Sequence, residues 1–117
     1  MPGISIILRK PPYGTIDAPE AIRHTLGAVT EELPVNLILM DGGVHAARKG
    51  QDIGTTGYLS AEEGIRDCLD MGAKVYADRR SVEDAGIAAA DLVEGVTVAS
   101  GAEIAAVLKD TGTTMIF

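Results

Sequence analysis

At 117 residues the chain is sized for a single domain, 1–117, that can bury a core without staples; with 46% apolar residues, no Trp and one Phe, that core must be aliphatic. Ten Lys and Arg against 17 Asp and Glu leave a net charge of −7, which argues against direct nucleic-acid binding and against attraction to an anionic membrane. One cysteine excludes an internal disulfide and fits a reducing compartment.

The start, MPGISIILRK, lacks the ordered basic, apolar and cleavage regions of a secretory signal, so the expected location is the cytoplasm. No apolar run approaches the roughly 18–20 residues of a membrane helix. Within that start, ISIILR (Ile4 to Arg9) is a near-continuous β-branched and aliphatic run, the pattern of a strand covered on both faces. KPPYGT follows. Its prolines cannot continue a central strand, and its glycine can take positive φ. Pro12, Tyr13 and Gly14 form a stiff aromatic corner that suits a contact surface; the same features would also serve merely to turn the chain. From Asp17 the period changes, with Ala18, Ala21, Ile22, Leu26 and Val29 at helical spacing. Asp17 and Glu20 read as an Asp variant of the capping box, and the helix is expected to stop near Pro34.

VNLILM (35–40) is a second strand, closed by DGG; VHAARKG has room for one or two helical turns, and QDIGTTGYLS is a loop. Ser60 with Glu63 reads as a capping box for the helix AEEGIRDCLDMG. AKVYAD is the third strand, SVEDAGIA a short helix, and LVEGVTVAS contains a fourth strand. GAEIAAVLKD is a helix and TTMIF the fifth strand. Repeated β-α units of this length predict an α/β fold, a five-stranded parallel sheet with helices on both faces. The result is a three-layer α/β/α sandwich, flavodoxin-like in general appearance.

Ligands of such sheets gather beyond the carboxyl ends of the strands. That edge is built here by Pro11 to Thr15, Asp41 to His45, Asp78 to Arg80 and Ser100–Gly101, with Pro12, Tyr13, Gly14, Asp41, Gly42, His45, Asp78 and Arg79 as the candidate ligand or partner residues. Neither a GxGxxG nor a Gly-Lys-Ser/Thr element is present, which speaks against a nucleotide cofactor. His24, His45 and Cys68 occur singly, without metal-ligand spacing, so no metal or other cofactor is expected. His45, with an ordinary pKa of about 6.5, is either a surface residue or an acid-base group; a conventional enzyme would need it to converge with Asp41 and Asp78. Arg79–Arg80, set among Asp78, Glu83 and Asp84, reads as a solvated helix start rather than a phosphate grip.

Cys68 is the residue whose chemistry could define an activity, because a thiolate can take sulfane sulfur as a persulfide. That requires a lowered pKa and access. Its neighbours Asp67 and Asp70, and a place near a helix carboxyl end, oppose a thiolate. It also lies on or beside the apolar stripe of Ala61, Ile65 and Leu69. A buried filler and a reactive thiol are both open readings.

Three stretches carry a family resemblance: PPYGT with the helix DAPEAIRHTL, the strand end LILMDGGVHAA, and KVYADRRSVEDAGI. Together they resemble the DsrE/DsrF-like family of small sulfur-relay proteins (DsrEFH and TusBCD type), closest to the DsrF/TusC branch. In that branch the corner after the first strand is a proline, an aromatic or histidine, then glycine, like Pro12, Tyr13 and Gly14. An Asp-Gly element ends the second strand, like Asp41-Gly42. The resemblance implies a three-layer domain assembled as a homo-oligomer (trimer or hexamer) or in a mixed complex with related subunits, exchanging sulfur with a donor or acceptor protein. It places the acceptor cysteine of the carrying subunits after the third strand. The matching position here is Asp78, which cannot form a persulfide, and Cys68 lies in the preceding helix. The implied function is therefore a sulfur-relay subunit, either non-catalytic or accepting sulfur at Cys68. The alternative is an oligomeric module that binds a partner or small ligand without sulfur transfer.

Overall fold

The computed structural model describes residues 3–117; Met1 and Pro2, which open the stretch read for a secretory signal, lie outside the described residues. Five strands form one parallel sheet: β1 (Ile4–Leu8), β2 (Val35–Leu39), β3 (Lys74–Asp78), β4 (Thr97–Ala99) and β5 (Thr113–Ile116). Their order is β4-β3-β2-β1-β5. The helices are α1 (Asp17–Thr30), α2 (Ala61–Asp70), α3 (Arg79–Asp84) and α4 (Gly101–Lys109), with 3-10 turns at Asp41–Ala47 and Ala89–Asp91.

The layering follows from the handedness of the crossovers. From β1 to β4 the strands step in one direction, so right-handed connections put α1 and α2 on one face; the return through α4 to β5 puts that helix on the other. Strand alternation supplies both cores. Ile6, Leu8, Leu37, Leu39 and Val75 pack with Ala18, Ala21, Ile65 and Cys68 beneath α1 and α2. Ile7, Ile38 and Ala99 pack with Ile104 beneath α4. Ser5, buried on the second face, is satisfied by a 2.7 Å hydrogen bond with Thr111. The two faces are unequal: α4 covers its face alone, and Ile116, in register with Ile7, remains 66% exposed. The expected three-layer α/β/α sandwich is the observed fold.

Helix ends depart from expectation in instructive ways. Asp17 does not cap α1. The N-cap is Ile16, in helical backbone geometry and without a side-chain cap. The Asp17 N–H reaches instead to Thr15 Oγ1 at 3.4 Å, and Asp17 and Glu20 act through the dipole of the first turn. α1 ends at Thr30 through a Schellman closure, Leu33 N–H to Ala28 O and Glu32 N–H to Val29 O, with Glu32 at φ 62°. At α2, Ser60 Oγ accepts from the Glu63 N–H. The complete capping box belongs to α4, where Ser100 and Glu103 bond reciprocally at 3.2 and 2.9 Å.

Candidate functional site

At the carboxyl edge of the sheet the DGG turn and the proline corner interlock. Gly43 packs against the end of β1 so closely that a Cβ there would lie 2.1 Å from the Leu8 carbonyl oxygen. A Cβ on Gly42 would meet the Pro11 ring at 3.0 Å. Asp41, at φ 51°, turns the chain between them and leaves its carboxylate exposed, accepting from Arg9 Nε at 3.0 Å. Its N–H donates to Ser81 Oγ at 2.8 Å. The Ser81 hydroxyl in turn donates to Asp78 Oδ2 at 2.7 Å, and the Ser81 N–H donates to the same oxygen at 3.1 Å. Asp78, only 9% exposed, thus caps α3 and is linked to Asp41 through a serine that sequence reasoning passed over. The Asp78-x-x-Ser81 spacing was its signal. Arg79 is exposed and lies 3.9 Å from Glu103 of α4.

The corner residues have a different neighbourhood. Pro12 is buried and Tyr13 half-buried, while Gly14 is exposed at φ 100°. Tyr13 donates to the Gln51 side chain and accepts the Ala61 N–H at 3.3 Å, and its ring packs against Tyr58 at 5.6 Å. Gln51 in turn brings its amide nitrogen to the carbonyls of His45, Ala46 and Arg48 at 3.2, 2.9 and 2.9 Å. Its N–H donates to Glu62, whose pKa is held down by Arg66 first and by that N–H second. The corner therefore fastens the 3-10 turn, the loop after it and the start of α2 to one another. Its three carbonyl acceptors lie close by in sequence, but no local pattern identifies Gln51 as the hub, because Tyr13 and Glu62 reach it only through the tertiary fold.

His45 stands apart from the aspartates: among the described residues no hydrogen bond joins it to Asp41 or Asp78. It lines a hollow of about 350 Å³ with Arg48, Lys49 and the turn after α3, and burial and then Arg48 lower its pKa. Cys68 has no exposed surface, and burial first, then Asp67, pushes its thiol up to about 12. A second groove, of about 410 Å³, runs between α1 and α2 over Pro12, Ile22, Leu26 and Leu59. Among the described residues no group of His, Cys, Asp and Glu could hold a metal ion, and no helix is long and apolar enough to cross a membrane.

Comparison with known proteins gives this geometry a family. The chain is 29% identical over 114 residues to an uncharacterized protein of Methanocaldococcus jannaschii, covering 97% of each. It is 36% identical over 87 residues to the intracellular sulfur oxidation protein DsrF of Allochromatium vinosum, covering 74% of this chain and 64% of that protein. The crystal structure of the ychN protein from E. coli superposes with a TM-score of 0.91 over the full length of both chains at 22% identity, the same fold. The model of the DsrE/DsrF-like family matches residues 3–117, and the chain belongs to that family.

Proposed function

We propose that the chain is a non-carrier subunit of an intracellular sulfur-relay assembly, one that shapes and docks a complex while the persulfide rides on another subunit's cysteine. The carrying observation is Asp78. At the position where the resemblance places the acceptor cysteine, the carboxylate is occupied as the cap of α3 by Ser81. The chain's one thiol supports the same reading. At pH 7 a group titrating at about 12 is thiolate in about one molecule in 10⁵, and Cys68 has no surface from which to meet a donor.

Intact-mass measurement of the reduced protein after incubation with a sulfane-sulfur donor tests this. The folded chain should gain nothing, while the unfolded chain gains sulfur that cyanide removes and that C68A lacks. A cyanide-labile gain on the folded chain, absent in C68A, would make it a carrier. Light scattering should show a homo-oligomer or, with a cysteine-bearing family member added, a mixed complex. A strict monomer in both cases would remove the assembly role. A second reading, a binding module without sulfur transfer, is favoured by the apolar groove between α1 and α2.

A further inference from the structure

A basic hollow lies in this acidic chain at the end of the 3-10 turn, apart from the residues of the Asp41–Ser81–Asp78 network. His45, Arg48 and Lys49 line it together with Gly86, Ile87 and Asp91. The basic wall is held in place from behind. Ala46 and Ala47 are fully buried, the Lys49 N–H donates to Asp91 O at 2.8 Å, and the Val93 N–H donates to Ala47 O at 2.8 Å. Arg48 bridges to Leu92 as a short antiparallel pair, and Gln51 gathers the carbonyls of His45, Ala46 and Arg48. Main-chain groups are thereby satisfied internally and the side chains are left to face the hollow. Arg48 is not spent on a partner: Arg9, Arg23, Arg66, Arg79 and Arg80 all stand in ion pairs, whereas among the described residues Arg48 alone of the arginines does not, and Lys49 beside it is unpaired like the other lysines. Gly86 adds no bulk to the lining, since it carries no side chain and nothing lies within 4 Å of where its Cβ would be.

We propose that this hollow binds a small molecule through a terminal oxyanion of the phosphate or sulfate class, held by Arg48 and Lys49 with the His45 ring as a third donor. A guanidinium presents paired N–H groups to two oxygens, and an ammonium adds a point charge. A volume of about 350 Å³ is larger than a bare oxyanion needs and falls within the range of small-molecule sites. Asp91 sets a limit on affinity, because its carboxylate shares the rim with the two cations. No thiol takes part, so the site stands whether or not sulfur passes through this subunit.

Amide NMR shifts of the full chain, followed at low ionic strength on addition of inorganic phosphate, sulfate or a pentose phosphate, test the site. Saturable shifts should centre on His45, Arg48, Lys49, Gly86 and Ile87. R48A and K49A should each weaken binding about tenfold or more, D91N should strengthen it, and K74A, an exposed lysine elsewhere, should leave it unchanged. Tighter binding of the pentose phosphate than of phosphate would assign the anion to a larger ligand, and equal binding would assign it to the free ion; both uphold the site. Shifts that do not saturate, that spread over unrelated lysines and arginines, or that survive R48A and K49A would overturn it. All the substituted side chains are exposed, and the spectrum of each ligand-free variant reports whether its fold is intact.

Discussion

Cys68 ties chemistry to stability at the scale of one residue. Its folded thiol titrates at about 12 against an ordinary 9.0. Below pH 9 both states hold the proton and the thiol adds no pH dependence. Above it the unfolded chain ionises first, so stability falls by about 1.4 kcal/mol per pH unit, to about 4 kcal/mol by pH 12. Urea midpoints taken from about pH 8 to about pH 11 should show this slope, and C68A should flatten it although the variant starts less stable. Gly43 makes a sharper demand. A methyl group 2.1 Å from a backbone oxygen cannot be relieved by a side-chain rotation, so Gly43→Ala must move the end of β1 or the DGG turn. A loss of about 3 kcal/mol or more is expected in equilibrium unfolding, where an exposed glycine-to-alanine change would cost little.

At the scale of elements, caps are the separable contributions. Ser100→Ala removes one half of the α4 box and should cost about 1 kcal/mol, read as a shift in urea midpoint at unchanged slope. Glu32 holds a left-handed conformation that a side chain resists, φ 62° at the end of α1, so Glu32→Gly should stabilise by about 0.5–1 kcal/mol. The elements themselves were plain in the sequence, because runs such as ISIIL and VNLIL, or the spacing of Ala18, Ala21, Ile22 and Leu26, state their burial locally. Asp17 is not the cap that its spacing from Glu20 predicts, because Ile16 already has helical geometry, which starts the helix one residue too early for an Asp17 side chain to cap it. The site was legible only in part. Topology alone put Asp41 and Asp78 on one edge, but the bond of Asp41 to Ser81 and that of Tyr13 to Gln51 join residues far apart in sequence, which no local pattern encodes. Arg48 and Lys49 are adjacent in sequence, yet what sets Arg48 apart, as the one arginine without a carboxylate partner among the described residues, only the folded surface reveals.

For the molecule as a whole, the net charge of −7 sets a collective repulsion against five arginine–carboxylate ion pairs among the described residues, whose members are mostly exposed. Exposed pairs contribute about 0–1 kcal/mol each, so screening should relieve more repulsion than it removes attraction. Unfolding midpoints should rise between about 0.01 and about 0.15 M salt; a fall would mean that the pairs dominate.

The sheet order has a consequence for how this chain is made. β1 is flanked by β2 and β5, and Ile4 finds its second partner in Thr113. During synthesis the first strand therefore emerges with one edge that stays unpaired until residues 113–116 have followed it. An open edge of aliphatic strand invites pairing with another nascent chain, and closing it requires a contact as distant in sequence as Ile4 with Thr113, which is slow. The interval before β5 arrives is when this protein is most exposed to misassembly, and when a chaperone that shields β1 would matter most.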